Sequence, residues 1–138
     1  MKFDRRLTDE IYTSDTVKLG KDAFQAMQNT IYHNGGVGTI TGYYDAELSI
    51  LSVSDLLLHN LNHSYESLME QTKGSLKNLF YKRDATFLDN ARFRQIKGEG
   101  EGRILTADGS PVYVRLYKED AVDTDGTPIW IMSVQMNW

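Results

Sequence analysis

Residues 102–137 read GRILTADGSPVYVRLYKEDAVDTDGTPIWIMSVQMN. Asp108-Gly109 and Asp125-Gly126 punctuate this stretch, and such pairs supply the positive φ angles that a tight turn between antiparallel strands needs. Between them, runs rich in β-branched and aromatic residues mark strands at about 102–107, 111–118 and 128–137. Alternation along the last strand puts Trp130, Met132, Val134, Met136 and Trp138 on one face, and Ile129, Ile131, Ser133 and Gln135 on the other. Both faces are rich in apolar residues. A sheet that met water on one side would alternate apolar with polar, so something must cover each side of this one.

Upstream of these strands, residues 54–97 read as several short helices. Ser54-Asp55 offers N-cap side chains, breaks fall near Asn62-His63-Ser64 and Gly74-Ser75, and Asp84 caps a longer helix over 85–96. Residues 37–44 and 49–53 read as strands. A helix over 22–33 presents Phe24, Met27 and Ile31 at spacings of three and four, and Asn34-Gly35-Gly36 ends it. The first twenty residues, sparse in apolar positions, read as a loose lead-in. The expected fold class is therefore α+β: a five-stranded antiparallel sheet, short helices on one face, and an N-terminal cap helix. Residues 1–36 form the lead-in and cap helix, and residues 37–138 the domain itself.

Composition narrows the function. At 138 residues the chain is one domain, and 41% apolar with 25% charged residues is ordinary for a globular protein. Cysteine is absent, which removes disulfides, thiolate metal sites and cysteine nucleophiles and fits a cytoplasmic location. There is no apolar run long enough to span a bilayer and no signal-peptide pattern. The net charge of −4 argues against a general nucleic-acid binder. The basic residues between Lys73 and Lys97 read as a solvated helical face.

With its local motifs, that order of elements resembles the PAS family of sensor modules. Ile50-Leu51-Ser52-Val53-Ser54-Asp55 through Tyr65-Glu66-Ser67-Leu68 resembles the family's second strand and first helices. Gly74 through Phe80 to Asp84 resembles its next turn, and Thr106-Ala107-Asp108-Gly109-Ser110-Pro111-Val112-Tyr113-Val114 its central hairpin. The chain departs from the pattern at Ser54, where the family often has Asn, and at Asn62, where it often has Gly. Asn137 and Trp138 stand in place of the closing acid, and the chain ends there, as expected of a domain cut from a longer protein.

The resemblance implies a regulatory module of bacterial-type signal transduction, not an enzyme in itself, coupled in the full protein to an output domain such as a kinase or nucleotide cyclase. It implies a small organic ligand held by Tyr44, Phe87, Ala91, Ile104, Val114, Leu116, Ile131, Ser133 and Gln135. On that assignment the row Trp130, Met132, Val134 and Met136 lies outside and, with the 22–33 helix, forms a homodimer contact. Flavin is not expected, since Ile104 and Val114 stand where the flavin-binding branch keeps asparagines, although Gln135 matches its glutamine. Haem is not expected, because residues 85–96 contain no histidine. The cofactor is otherwise left open. The alternatives are a ligand-free dimerisation module and a small α+β enzyme of ketosteroid-isomerase-like shape.

Three motifs have blander readings. His59 and His63 have helical metal-pair spacing but straddle a helix end, so they read as structural histidines. Asp123-Thr124-Asp125-Gly126 lacks the later glutamate of a calcium loop and reads as a hairpin turn. Gly98-Glu99-Gly100-Glu101-Gly102 lacks the lysine of a phosphate loop and reads as a flexible connector.

Overall fold

In the register between the strands Gly38–Tyr43 and Pro128–Met136, Gly42 stands directly opposite Trp130. A Cβ at Gly42 would lie 2.3 Å from the Trp130 ring and 2.2 Å from the Ser49 carbonyl oxygen, so the indole occupies space that only glycine leaves open. The indole Nε1 donates to the Tyr43 carbonyl at 2.9 Å. This contact sits inside a six-stranded antiparallel sheet. The computed structural model describes residues 10–13, 16–35, 38–83 and 90–136. The strands are β1 (Ile11–Thr13), β2 (Gly38–Tyr43), β3 (Ile50–Ser54), β4 (Gly98–Leu105), β5 (Pro111–Val122) and β6 (Pro128–Met136), in the order β1-β3-β2-β6-β5-β4. The helices are α1 (Lys21–Asn34), α2 (Asp55–Asn60), α3 (Tyr65–Thr72) and α4 (Asn90–Gln95).

The α+β architecture with antiparallel pairing is as the sequence predicts, with one strand more than expected. The sixth, β1, comes from the stretch read as a loose lead-in and pairs with β3, Ile11 opposite Ser54. Its brevity hid it, because three residues are too few to show alternation. The supposed connector 98–102 is the first half of β4. Glycine's low strand propensity masked it, although Gly-x-Gly-x-Gly has the two-residue period of a strand. The turn at 123–127 is a hairpin as expected. Asp123 Oδ1 accepts from the backbone N–H groups of Asp125 and Thr127, and Oδ2 accepts from the Tyr43 hydroxyl.

Capping follows the local chemistry. Ser54 Oγ accepts from Leu57 N–H to start α2, and it also takes the Thr39 N–H at 2.9 Å, so one buried hydroxyl ties helix to sheet. Ser64 and Ser67 form a capping box at α3. Gly35, in the left-handed conformation, ends α1 by donating to the Ile31 carbonyl.

Two cores flank the sheet. The larger joins Trp130, Met132, Val134 and Met136 to Ile40, Val53, Ile104, Val114 and Leu116 beneath α2, α3 and Phe93 of α4. The smaller joins Ile129, Ile131 and Leu51 to Leu19, Ala23, Ala26 and Met27 under α1. The two faces of β6 are therefore the reverse of the expected assignment. Trp130, Met132, Val134 and Met136 are interior and buried in the chain's own core, so they form no exterior stripe for a second copy; Trp138 lies outside the described residues. Ile131 and Ser133 lie under α1, where Ser133 Oγ donates to the Thr30 carbonyl, and Gln135, opposite Arg115, shares that face. The helix is also turned from its expected orientation: Ala23, Ala26, Met27 and Thr30 are its buried side, and Phe24 is exposed.

Bulk explains the reversal. The interior face of β2 carries Gly38, Ile40 and Gly42, leaving depth for tryptophan and methionine. The other face carries Thr39, Thr41, Ser52 and Ser133, small hydroxyl residues over which an alanine-faced helix can lie close. Gly42→Ala is expected to lower stability by about 1–3 kcal/mol through overpacking. Trp130→Glu is expected to abolish folding, not to alter association. Urea unfolding checks both: an unchanged midpoint for Gly42→Ala, or a folded Trp130→Glu protein, would contradict the interior placement.

Candidate functional site

β4 pairs with β5 so that Gly98 faces Lys118, Gly100 faces Leu116 and Gly102 faces Val114. Cross-strand partners point to the same side of a sheet, so all these glycines lie on the interior face and give it no side chains. A cleft of about 210 Å³ results, bounded by Phe93 and Ile96 at α4, by residues 98–101 of β4, by Leu116 and Lys118 of β5, and by Met132 of β6. A Cβ built on Gly100 meets nothing within 4 Å, and its φ is ordinary, so the space there is open and accessible to a side chain.

Lys118 is the unusual wall residue. It continues the row Val114, Leu116 and is only 1% exposed, in the company of hydrophobic side chains. Its Nζ donates to the Ile96 carbonyl at 2.9 Å and to Asp120 Oδ1 at 3.1 Å. It lies 5.0 Å from the Tyr44 ring centroid and 4.9 Å from that of Phe93. Buried ammonium ions need such partners, and here a carboxylate, a carbonyl beyond the helix end and two aromatic faces supply them. Burial still lowers the Lys118 pKa, with Asp120 opposing the shift.

Around it, the Tyr44 hydroxyl donates to Asp120, and burial followed by that bond raises its pKa. Arg94 stacks over Tyr44 at 4.6 Å, and Lys97 lies 3.7 Å from Asp120. Phe93 meets Trp130 edge-to-face at 5.6 Å. Phe93, Arg94, Ile96 and Lys97 thus fasten α4 and the residues after it to the sheet through side chains, with Lys118 beneath them.

Of the residues expected to hold a ligand, Leu116 lines this cleft. Ile104 and Val114 share its face deeper in the core, and Tyr44 stands beside Phe93 and Lys118. Ala91 points outward on α4 and is exposed, because the helix presents Phe93 inward instead. Phe87 lies outside the described residues. Ile131, Ser133 and Gln135 belong to the opposite face for the reason given above. The sequence reading missed Phe93, Ile96, Gly98, Gly100, Lys118 and Met132. The signals for the strand residues were present: Lys118 has the parity of Val114 and Leu116, and the glycines alternate.

His59 is exposed and His63 buried, with α2 ending between them, and the His63 ring Nδ1 meets Ser67 Oγ at 2.7 Å. Among the described residues no group of three or more His, Cys, Asp or Glu side chains could hold a metal ion, and no helix is long and apolar enough to cross a membrane.

No sequence-family model matches the chain, and neither does any curated protein. Among solved structures it is similar to the PAS domain of an HTR-like protein from Haloarcula marismortui. The TM-score is 0.57 over 83% of this chain and 97% of that one, at 14% sequence identity. At that identity the likeness is one of fold.

The lowered Lys118 pKa gives stability a sign. Between that pKa and the ordinary lysine value near 10.4 the unfolded chain binds more protons than the folded one, so stability rises with pH across the window. Below the window the full penalty of burying the ammonium applies. Lys118→Met lacks this response, so wild type is expected to gain on the variant as pH rises toward about 10.4. Paired urea titrations measure the gap, and a gap constant with pH would refute the assignment.

Proposed function

With a PAS-like fold as the premise, we propose that this chain is a sensory module that holds a small ligand in the cleft between α4 and the β4–β5 hairpin, and is not itself an enzyme. The cleft carries this reading. Its volume of about 210 Å³ suits a small organic molecule. An engineered apolar cavity of roughly 150 Å³ takes benzene, so the space here is ample for one or two rings. Its walls are mostly hydrophobic with a single buried cation, the composition of a site that gains affinity from burial and orientation from one polar group. The element that closes it, α4, is the natural one to respond. Its described residues are fastened to the sheet by a few side chains, and elements held in this way open at lower free energy than the core. A ligand that pushes on Phe93 or Ile96 moves α4 relative to the sheet, and that displacement is the signal a covalently attached output domain would read.

Gly100→Val tests this. Its side chain would enter the cleft from β4, where nothing obstructs it, and valine is the better strand former. The variant is expected to fold and unfold at least as late as wild type, yet to lose any small molecule that native mass spectrometry finds on wild type. It should also stop binding benzene, followed by NMR through the backbone amides of residues 98 and 100, the latter a valine amide in the variant. A wild-type protein that neither carries a small molecule nor admits benzene would overturn the reading.

A second reading, self-association through α1, is favoured by Phe24 and Tyr32, which are 45% and 82% exposed on that helix. Sedimentation velocity should show a dimer for wild type and monomers for Tyr32→Glu, and a monomeric wild type at tens of micromolar would remove it.

A further inference from the structure

Lys118 Nζ carries three protons, and two are spent, on the Ile96 carbonyl and on Asp120. The third has no acceptor among the described residues; the rings of Tyr44 and Phe93 steady the charge without offering a lone pair at hydrogen-bonding distance. The ammonium lies between Ile96 and Phe93, which together with Lys118 itself line the cleft. Lys118, almost fully buried and with a third proton unmatched among the described residues, therefore lines a space whose other walls are largely apolar. From this we infer that the cleft selects a small, neutral, largely apolar molecule bearing one acceptor oxygen, a ketone or related carbonyl compound, whose oxygen meets Lys118 Nζ. The inference rests on the sensory reading above and names the ligand class for that site.

Each part of the class has its own ground. An acceptor is required because leaving a buried donor unmatched beside a ligand forfeits a charge-assisted hydrogen bond. Neutrality follows from the charges present. Asp120 already balances Lys118 at 3.1 Å, and Arg94 and Lys97 are exposed to water, which screens them. A ligand carboxylate would enter beside Asp120 and lose its hydration against Phe93, Leu116 and Met132. A ligand amine would face the ammonium itself. The apolar body follows from those same hydrophobic walls and the bare backbone at Gly98 and Gly100.

Three probes of matched shape separate these grounds: acetophenone, its methylene isostere α-methylstyrene, and benzoate, each titrated into the full chain by NMR. Acetophenone should shift the Gly98 and Gly100 amides and bind about tenfold more tightly than either of the others, the margin of one hydrogen bond to a charged group. Lys118→Met should reduce that advantage to within about twofold while retaining α-methylstyrene. In case the variant misfolds, the wild-type Lys118 ammonium resonance gives a direct measure, since it should move with acetophenone and not with α-methylstyrene. Equal binding of acetophenone and α-methylstyrene at the cleft would overturn the acceptor and leave the sensory reading standing. Tighter binding of benzoate would overturn neutrality in the same way. Failure of all three to perturb Gly98 and Gly100 would overturn the inference, and the benzene and Gly100→Val measurements would decide the sensory reading separately.

Discussion

Trp130 can place its indole on only one side of the sheet, the side where Gly42 faces it without a Cβ. That contact sets the parity of β6, and parity in a strand is all or none, because a shift of one residue exchanges every side chain between faces. Once Trp130 is interior, Met132, Val134 and Met136 follow it, and so, through the β5 register, do Val114, Leu116 and Lys118. The register of β4 then turns Gly98, Gly100 and Gly102 to the same side. The walls of the cleft are thus set, strand by strand, from one packing contact two strands away.

The burial of Lys118 belongs to the same chain of consequences. A lysine at that parity must enter the core, and an unpaired ammonium there would be prohibitive. Its surroundings are arranged to receive it: Asp120 two residues on supplies charge, Ile96 a carbonyl, and Tyr44 and Phe93 their ring faces. Because two of those partners lie on α4 or just after it, the lysine also fastens that segment to the sheet. The side chain that carries this burial cost is also one that lines the cleft.

On the opposite face the same sheet behaves differently. Small hydroxyl residues, Thr39, Thr41, Ser52 and Ser133, take the positions that on the interior side belong to bulky hydrophobics. They are satisfied locally, Thr41 with Ser52 at 2.7 Å and Ser133 on the Thr30 carbonyl of α1. A helix with Ala23 and Ala26 on its underside can then lie close, and Asp22 and Asn34 anchor its two ends on Val122 and on Arg115 and Ser133. The helix is a clamp on the outer face, so Phe24 and Tyr32 are left to the solvent side.

The sequence alone determined the elements that have local causes. Asp108-Gly109 and Asp125-Gly126 make hairpin turns wherever they occur between strand-forming runs, Ser54 and Ser64 cap helices through their own hydroxyls, and Gly35 ends α1. From those came the α+β order, the antiparallel pairing and the likeness to the PAS fold. The candidate site was legible only in part: of the residues expected to line a pocket, Leu116, Val114 and Ile104 share the face of the cleft, whereas Ile131, Ser133 and Gln135 lie on the other. Alternation reveals that two faces differ but carries no sign of which is interior, and β6 has apolar residues on both, so its pattern is degenerate. Tertiary structure broke that degeneracy through volume, matching tryptophan to a glycine 88 positions earlier in the chain, from Trp130 to Gly42. Lys118 and the glycines of β4 came to line the cleft for the same reason: their placement depends on which residues stand across the strand, and that is fixed by register.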